Sequence, residues 1–113
     1  MRAKEFRTLL SDIFKEYNAF FGDNVGEFGE HDYKINYQIN SHTLTERERV
    51  YIVDIDVWSL STISVENIAD AIESLLNYAT FETATFYLDT RYNADEKEIY
   101  RRTLSYEVRT FNE

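Results

Sequence analysis

The sequence predicts an α+β protein of order αββαββ, a four-stranded, mostly antiparallel sheet with helices packed on one of its faces. Three stretches carry that expectation. In VYIVDIDVW, Val50 to Trp58, Tyr51, Val53, Ile55 and Val57 fall on one side while Asp54 and Asp56 fall on the other, the period-2 alternation of a half-buried strand. Past the polar joint LSTIS, the segment VENIADAIESLL puts Val65, Ile68, Ala69, Ile72, Leu75 and Leu76 on one helical stripe, with Ser64 as the expected N-cap and Glu66 in the first turn. At the far end Tyr100, Leu104, Tyr106 and Val108 alternate with Arg101, Thr103, Ser105, Glu107 and Arg109, giving a long last strand up to Phe111.

The remaining elements follow in chain order. Phe6, Leu9, Leu10, Ile13, Phe14, Tyr17, Phe20 and Phe21 recur at helical spacing, so a helix is expected from Arg2 to Phe21, ended by Gly22. All three glycines then fall within GDNVGEFGEHD, Gly22 to Asp32, an irregular and flexible connection. It lacks the spacing and the Lys of a phosphate-binding loop. In DYKINYQIN, Tyr33, Ile35, Tyr37 and Ile39 alternate with Lys34, Asn36, Gln38 and Asn40, which makes the first strand. Asn40 to Arg49 is polar and longer than a tight hairpin needs. It is either a solvated loop or a projecting hairpin arm. The stretch Ala79 to Asn93 contains a third strand, clearest over Thr83 to Asp89, and NADEKE is a polar turn.

At 113 residues one domain is expected, spanning residues 1–113. Apolar residues make up 43% of the chain and aromatics 16%, too many for a disordered segment. No stretch is long and apolar enough to cross a bilayer, and the N-terminus has no export pattern, so a soluble intracellular protein without membrane contact is expected. There is no Cys, which removes disulfides, thiol catalysis and thiolate metal sites. The net charge is −9, and residues 50–98 hold ten acids against two bases. Without a Lys/Arg stripe, specific nucleic-acid binding is not expected.

No constellation in the chain carries catalytic chemistry. His31 and His42 have no ligand spacing. Asp54 and Asp56 share a strand face as metal-binding carboxylates do, but the companion residues are missing. A cross-strand match of these aspartates with Arg101 or Arg109 accounts for them instead. Ser59, Ser61 and Ser64 lack a nucleophile motif and fit capping. The expectation is a protein that is not an enzyme and holds no metal or cofactor. Trp58, the single Trp, lies opposite Tyr51, Val53, Ile55 and Val57. It either closes the core where strand meets helix or anchors a subunit interface. Arg101 and Arg102 point to opposite faces of their strand, so one of them is free to reach an acidic neighbour.

Taken in order, DIDVWS (Asp54 to Ser59), ENIADAIESLL (Glu66 to Leu76) and YRRTLSYEVRTF (Tyr100 to Phe111) resemble the small tail-terminator, or tail-completion, proteins of long-tailed phages and prophages. The resemblance covers about the last two-thirds of the chain. It implies a virion structural protein assembled in the bacterial cytoplasm and residing in the virion tail. There a ring, in this family a hexamer, would cap the tail tube protein and present a surface to the head-completion or stopper protein. The expected contact elements are the Asn40 to Arg49 segment, with Thr43 and Leu44, together with Trp58, Arg101 and Arg102. Two other roles are compatible with the sequence. One is a head-to-tail adaptor or stopper, and the other is an acidic DNA mimic that inhibits a DNA-binding protein.

Overall fold

The computed structural model describes residues 1–111. The elements are helix α1 (Ala3–Ile13), strands β1 (Ala19–Phe21), β2 (Tyr33–Leu44) and β3 (Glu48–Ser59), helix α2 (Thr62–Leu76), and strands β4 (Thr80–Phe81), β5 (Ala84–Asn93) and β6 (Tyr100–Phe111). They form one six-stranded sheet of order β1-β2-β3-β6-β5-β4. β1 runs parallel to β2, and every other pairing is antiparallel. The α+β class is as expected, but the sheet has six strands rather than four. The four long strands are the expected ones, β5 being longer than the Thr83 to Asp89 core of the prediction, and the two additions are short pieces at the edges.

The other correction concerns the first helix. It stops at Ile13, not Phe21, and its last turn is closed by Phe14 N–H donating to the Leu10 carbonyl at 3.1 Å. Tyr17, Phe20 and Phe21 have helical spacing, yet Ala19–Phe21 pairs with Ile35–Tyr37 of β2. Asn18 fixes the change of direction. Its side-chain amide donates to the carbonyls of Glu27, Phe28 and Tyr33 at 2.9–3.1 Å. Its own carbonyl accepts from Ile35 N–H at 2.9 Å. These bonds cannot form if Asn18 stays helical, so tertiary pairing overrides the local pattern.

β3 is the middle of the structure. All twelve of its residues are in register with β6, from Glu48 opposite Phe111 to Ser59 opposite Tyr100. On its other side it pairs with β2 from Ser59 to Arg49, with a bulge at Asn40 of β2. Tyr51, Val53, Ile55 and Val57 are completely buried and form the floor of the core with Ile35, Tyr37, Phe86, Leu104, Tyr106 and Val108. α1 lowers Phe6, Leu9 and Leu10 onto this floor, Phe14 follows at its C-cap, and α2 adds Val65, Ala69, Ile72 and Leu76. Complete burial of one such aliphatic or aromatic side chain contributes roughly 1.5–3 kcal/mol. Phe6 stacks on Tyr51 with centroids 4.3 Å apart, and the Tyr51 hydroxyl donates to the Met1 carbonyl at 2.8 Å.

α2 starts one turn earlier than predicted. Its N-cap is Ser61, whose Oγ accepts from Ser64 N–H at 3.3 Å. Ser64 instead donates its hydroxyl to the Asp32 carboxylate and so ties the helix start to the end of the glycine-rich segment.

That segment is packed rather than free. It lies over the sheet face opposite the helices, where Asn36 Nδ2 donates to the Val25 carbonyl at 2.8 Å. Gly26 is in the left-handed region, φ +79°, and an added Cβ would overlap the Phe20 ring, whereas Gly29, φ +59°, has open space beside it. Gly26→Ala is therefore expected to cost about 2–4 kcal/mol, from strain plus overpacking. Gly29→Ala should cost about 1–2 kcal/mol from backbone strain alone. Urea denaturation of the two variants beside the wild type checks the difference.

Candidate interaction site

Two surface features stand out, one at each end of β2 and β3. At one end the chain reverses through Thr45, Glu46 and Arg47, held by Thr45 N–H donating to the Glu48 carbonyl at 2.9 Å and by Glu48 N–H donating to Thr45 Oγ1 at 3.1 Å. The Asn40 to Arg49 segment is thus a β-hairpin end rather than a loop, called the arm below, and its β3 side stays paired with β6 as far as Glu48 opposite Phe111. Thr43 and Leu44 lie on it, and Leu44 is 58% exposed, a large aliphatic side chain without cover.

At the other end, on the sheet face away from the helices, Lys34 of β2, Trp58 of β3 and Arg101 of β6 are direct cross-strand neighbours. Lys34 Nζ lies 5.5 Å and the Arg101 guanidinium carbon 4.9 Å from the centroid of the indole ring. Cations at this range are attracted by the face of an indole. Trp58 is only 9% exposed and Lys34 only 7%. Neither cation has a carboxylate within 4 Å among the described residues, and Trp58 Nε1 and Arg101 Nε are buried without an acceptor. A cleft of about 220 Å³ opens between this row and the covering loop, lined by Asn24, Phe28, Lys34, Trp58, Glu96 and Ile99.

One step further along the same face, Asn36, Asp56 and Thr103 form the next row. The Thr103 hydroxyl donates to the Asp56 carboxylate, and Asp54 accepts from Asn40 Nδ2 at 2.8 Å. These hydroxyl and amide partners replace the arginine match expected from sequence, and Arg109 pairs instead with Glu48 and Glu107, at 3.2 Å each. Burial pushes the Asp56 carboxyl above its ordinary value, against the hydrogen bond from Thr103 and the charge of Arg101.

Arg102 faces the other way, as its parity requires. It is 5% exposed and its guanidinium is held by Glu66 of α2 and by Asp95. Burial alone would lower its pKa, but the two carboxylates outweigh burial and raise it. Arg91 of β5 takes the rest of the helix's acidic stripe, meeting Asp70 at 2.7 Å, Glu66 at 2.9 Å and Glu73 at 3.4 Å. Of the five residues expected at a contact surface, Thr43 and Leu44 thus share the hairpin end, Trp58 lines the cleft with Arg101 beside it on the next strand, and Arg102 is occupied within its own chain. Lys34 was missed. Its strand parity was legible, but its place beside Trp58 depends on a strand order that sequence does not give. Because Trp58 is already covered by its own chain, Trp58→Ala is expected to lower stability as well as any assembly, and it is not a clean interface probe.

Among the described residues no group of three or more His, Cys, Asp and Glu is placed to hold a metal ion, and no helix is long and apolar enough to cross a membrane. No family model matches the chain, and no curated protein matches it. Its fold does recur among solved structures. A chain in the virion of a native gene transfer agent (GTA) particle superposes with a TM-score of 0.60, covering 96% of this chain and 90% of that one at 10% identity. The likeness therefore spans nearly the whole of both chains and is one of fold.

The buried Asp56 gives a pH-dependent expectation. A carboxyl raised above its unfolded value binds its proton more readily in the folded state, so its ionisation opposes folding at neutral pH and that penalty fades as the pH falls through its folded pKa. Asp56→Asn keeps an acceptor for Thr103 and removes the charge. It is expected to raise the melting temperature at pH 7, with the gain shrinking towards pH 4, as thermal circular dichroism across that range would check.

Proposed function

We propose that this chain is a virion structural protein of a phage-like particle, and more specifically a tail terminator: a ring that caps the tail tube and meets the head-completion proteins. The observation that carries the reading is the near full-length fold match to a chain of the gene transfer agent virion, 96% of one chain on 90% of the other. It is supported by the ordered motifs DIDVWS, ENIADAIESLL and YRRTLSYEVRTF, which resemble that family independently of the fold. The arm and the cleft lie at different ends of the molecule and are unlike each other. Such a pair of patches suits a heterologous contact, one patch meeting a different patch on the next copy, which closes into a ring when the rotation permits.

On this reading the protein is not an enzyme, its partners are further copies of itself, the tail tube protein and a stopper protein, and DNA passes without being gripped. The ion pairs of α2 argue against the inhibitor alternative. A DNA mimic needs its carboxylates unpaired and outward, whereas Glu66, Asp70 and Glu73 converge on Arg91.

Light scattering over a wide concentration range is the direct measurement, followed by electron microscopy of tail tubes grown with and without the protein. A species of about six times the 13.5 kDa chain mass and tubes of fixed, capped length are expected. A protein that leaves tube length unchanged and binds no tube tip would sink the terminator role and favour the adaptor.

A further inference from the structure

We infer that the cleft at Lys34 and Trp58, with Arg101 beside Trp58 on the sheet, is a carboxylate site filled by a second copy of this chain, through Glu46 at the tip of that copy's hairpin turn. The inference deepens the ring reading proposed above and rests on it. Buried cations are normally paired, because an unpaired one loses hydration without recompense. The rest of this chain obeys that rule: Arg102 has two carboxylates and Arg91 has three. In a protein with 21 acids, the buried Lys34 and the partly buried Arg101 are nevertheless left without one within 4 Å among the described residues, and Trp58 Nε1 and Arg101 Nε lack acceptors beside them. Glu96 stands on the rim of the cleft and forms no ion pair with either cation. Asp56 in the next row acts on Arg101 from beyond ion-pair distance, and Lys34 is the cation that lines the cleft, so a carboxylate entering there meets the Lys34 ammonium.

Size and charge narrow the occupant. About 220 Å³ is below the roughly 300–1,000 Å³ of small-molecule sites and suits one side chain. The arm offers the complementary chemistry: Glu46 is exposed in the turn, and the exposed Leu44 two residues before it matches the Phe28 and Ile99 walls of the cleft. β2 and β3 are twelve residues long, roughly 40 Å at about 3.3 Å per residue. With the cleft at one end of these strands and the arm at the other, in a molecule 46 Å long, the arm does not reach its own cleft. A head-to-tail neighbour can bring the two together.

Trp58 is the only tryptophan in the chain, so its fluorescence reports on the cleft directly. The test follows mass by sedimentation and Trp58 emission on the same samples, for wild type, Glu46→Gln, Glu46→Lys, and Glu46→Lys combined with Lys34→Glu. Thermal melts check that each variant is folded. Wild type is expected to associate with a shift in Trp58 emission. Glu46→Gln should weaken association by about tenfold or more, Glu46→Lys should weaken it further, and the charge swap should recover part of the loss. Because Glu46 is exposed, its variants should fold even if Lys34→Glu does not. Rings that form with unchanged Trp58 emission and equal affinity in Glu46→Gln would overturn the inference and leave the ring reading standing. A wild type that stays monomeric at every concentration would overturn this occupant together with the self-assembling ring.

Discussion

The double pairing of β3 is the constraint on which the rest of this molecule depends. A twelve-residue strand bonded along its length on both sides has no freedom to slip, because a shift of one residue would turn Tyr51, Val53, Ile55 and Val57 out of the core and Asp54 and Asp56 into it. The register that satisfies its apolar face also aligns its polar one. Lys34, Trp58 and Arg101 are neighbours for the same reason that Ile35, Val57 and Arg102 are, one residue along each strand. The core and the candidate site are thus two sides of a single alignment, and a substitution that loosens one is expected to be felt at the other.

The arginines divide along that alignment. Arg91 and Arg102 face α2 and are absorbed by its acidic stripe, while Arg101 and Lys34 face the loop and sit on an indole instead. Arg91 and Arg102 on the helix side are ion-paired within one chain, and among the described residues Lys34 and Arg101 on the opposite side are not. On the ring reading proposed above, that difference favours the loop-covered end over the helices as the place for a neighbour.

Much of the architecture is legible in the sequence because alternation survives wherever a strand is long. Tyr51 to Val57 and Leu104 to Val108 gave their buried faces without error, and the stripe of α2 was correct at Val65, Ala69, Ile72 and Leu76. The failures occur where partners distant in the chain decide. Phe20 and Phe21 fit a helix until β2 offers them a ladder, and Thr80–Phe81 is too short to show a period. Ser64 and Ser61 are equally good caps by type, and the Asp32 carboxylate takes the Ser64 hydroxyl. For the candidate site, Trp58 and Arg101 were visible as residues and invisible as a pair, because adjacency across strands needs a sheet order that the pattern along one strand does not contain.

The two edges of the sheet have a consequence for how the chain behaves before it meets anything. β1 covers three residues of β2 and β4 covers two of β5, so most of each outer strand has no strand beside it. Bare backbone of that kind invites strands from other molecules. Both outer strands carry an extra residue partway along, Asn40 in β2 and Asp89 in β5, which breaks the regular spacing a visiting strand would need. The fold therefore discourages uncontrolled stacking into fibrils while it accumulates, and leaves association to surfaces with shape and charge of their own.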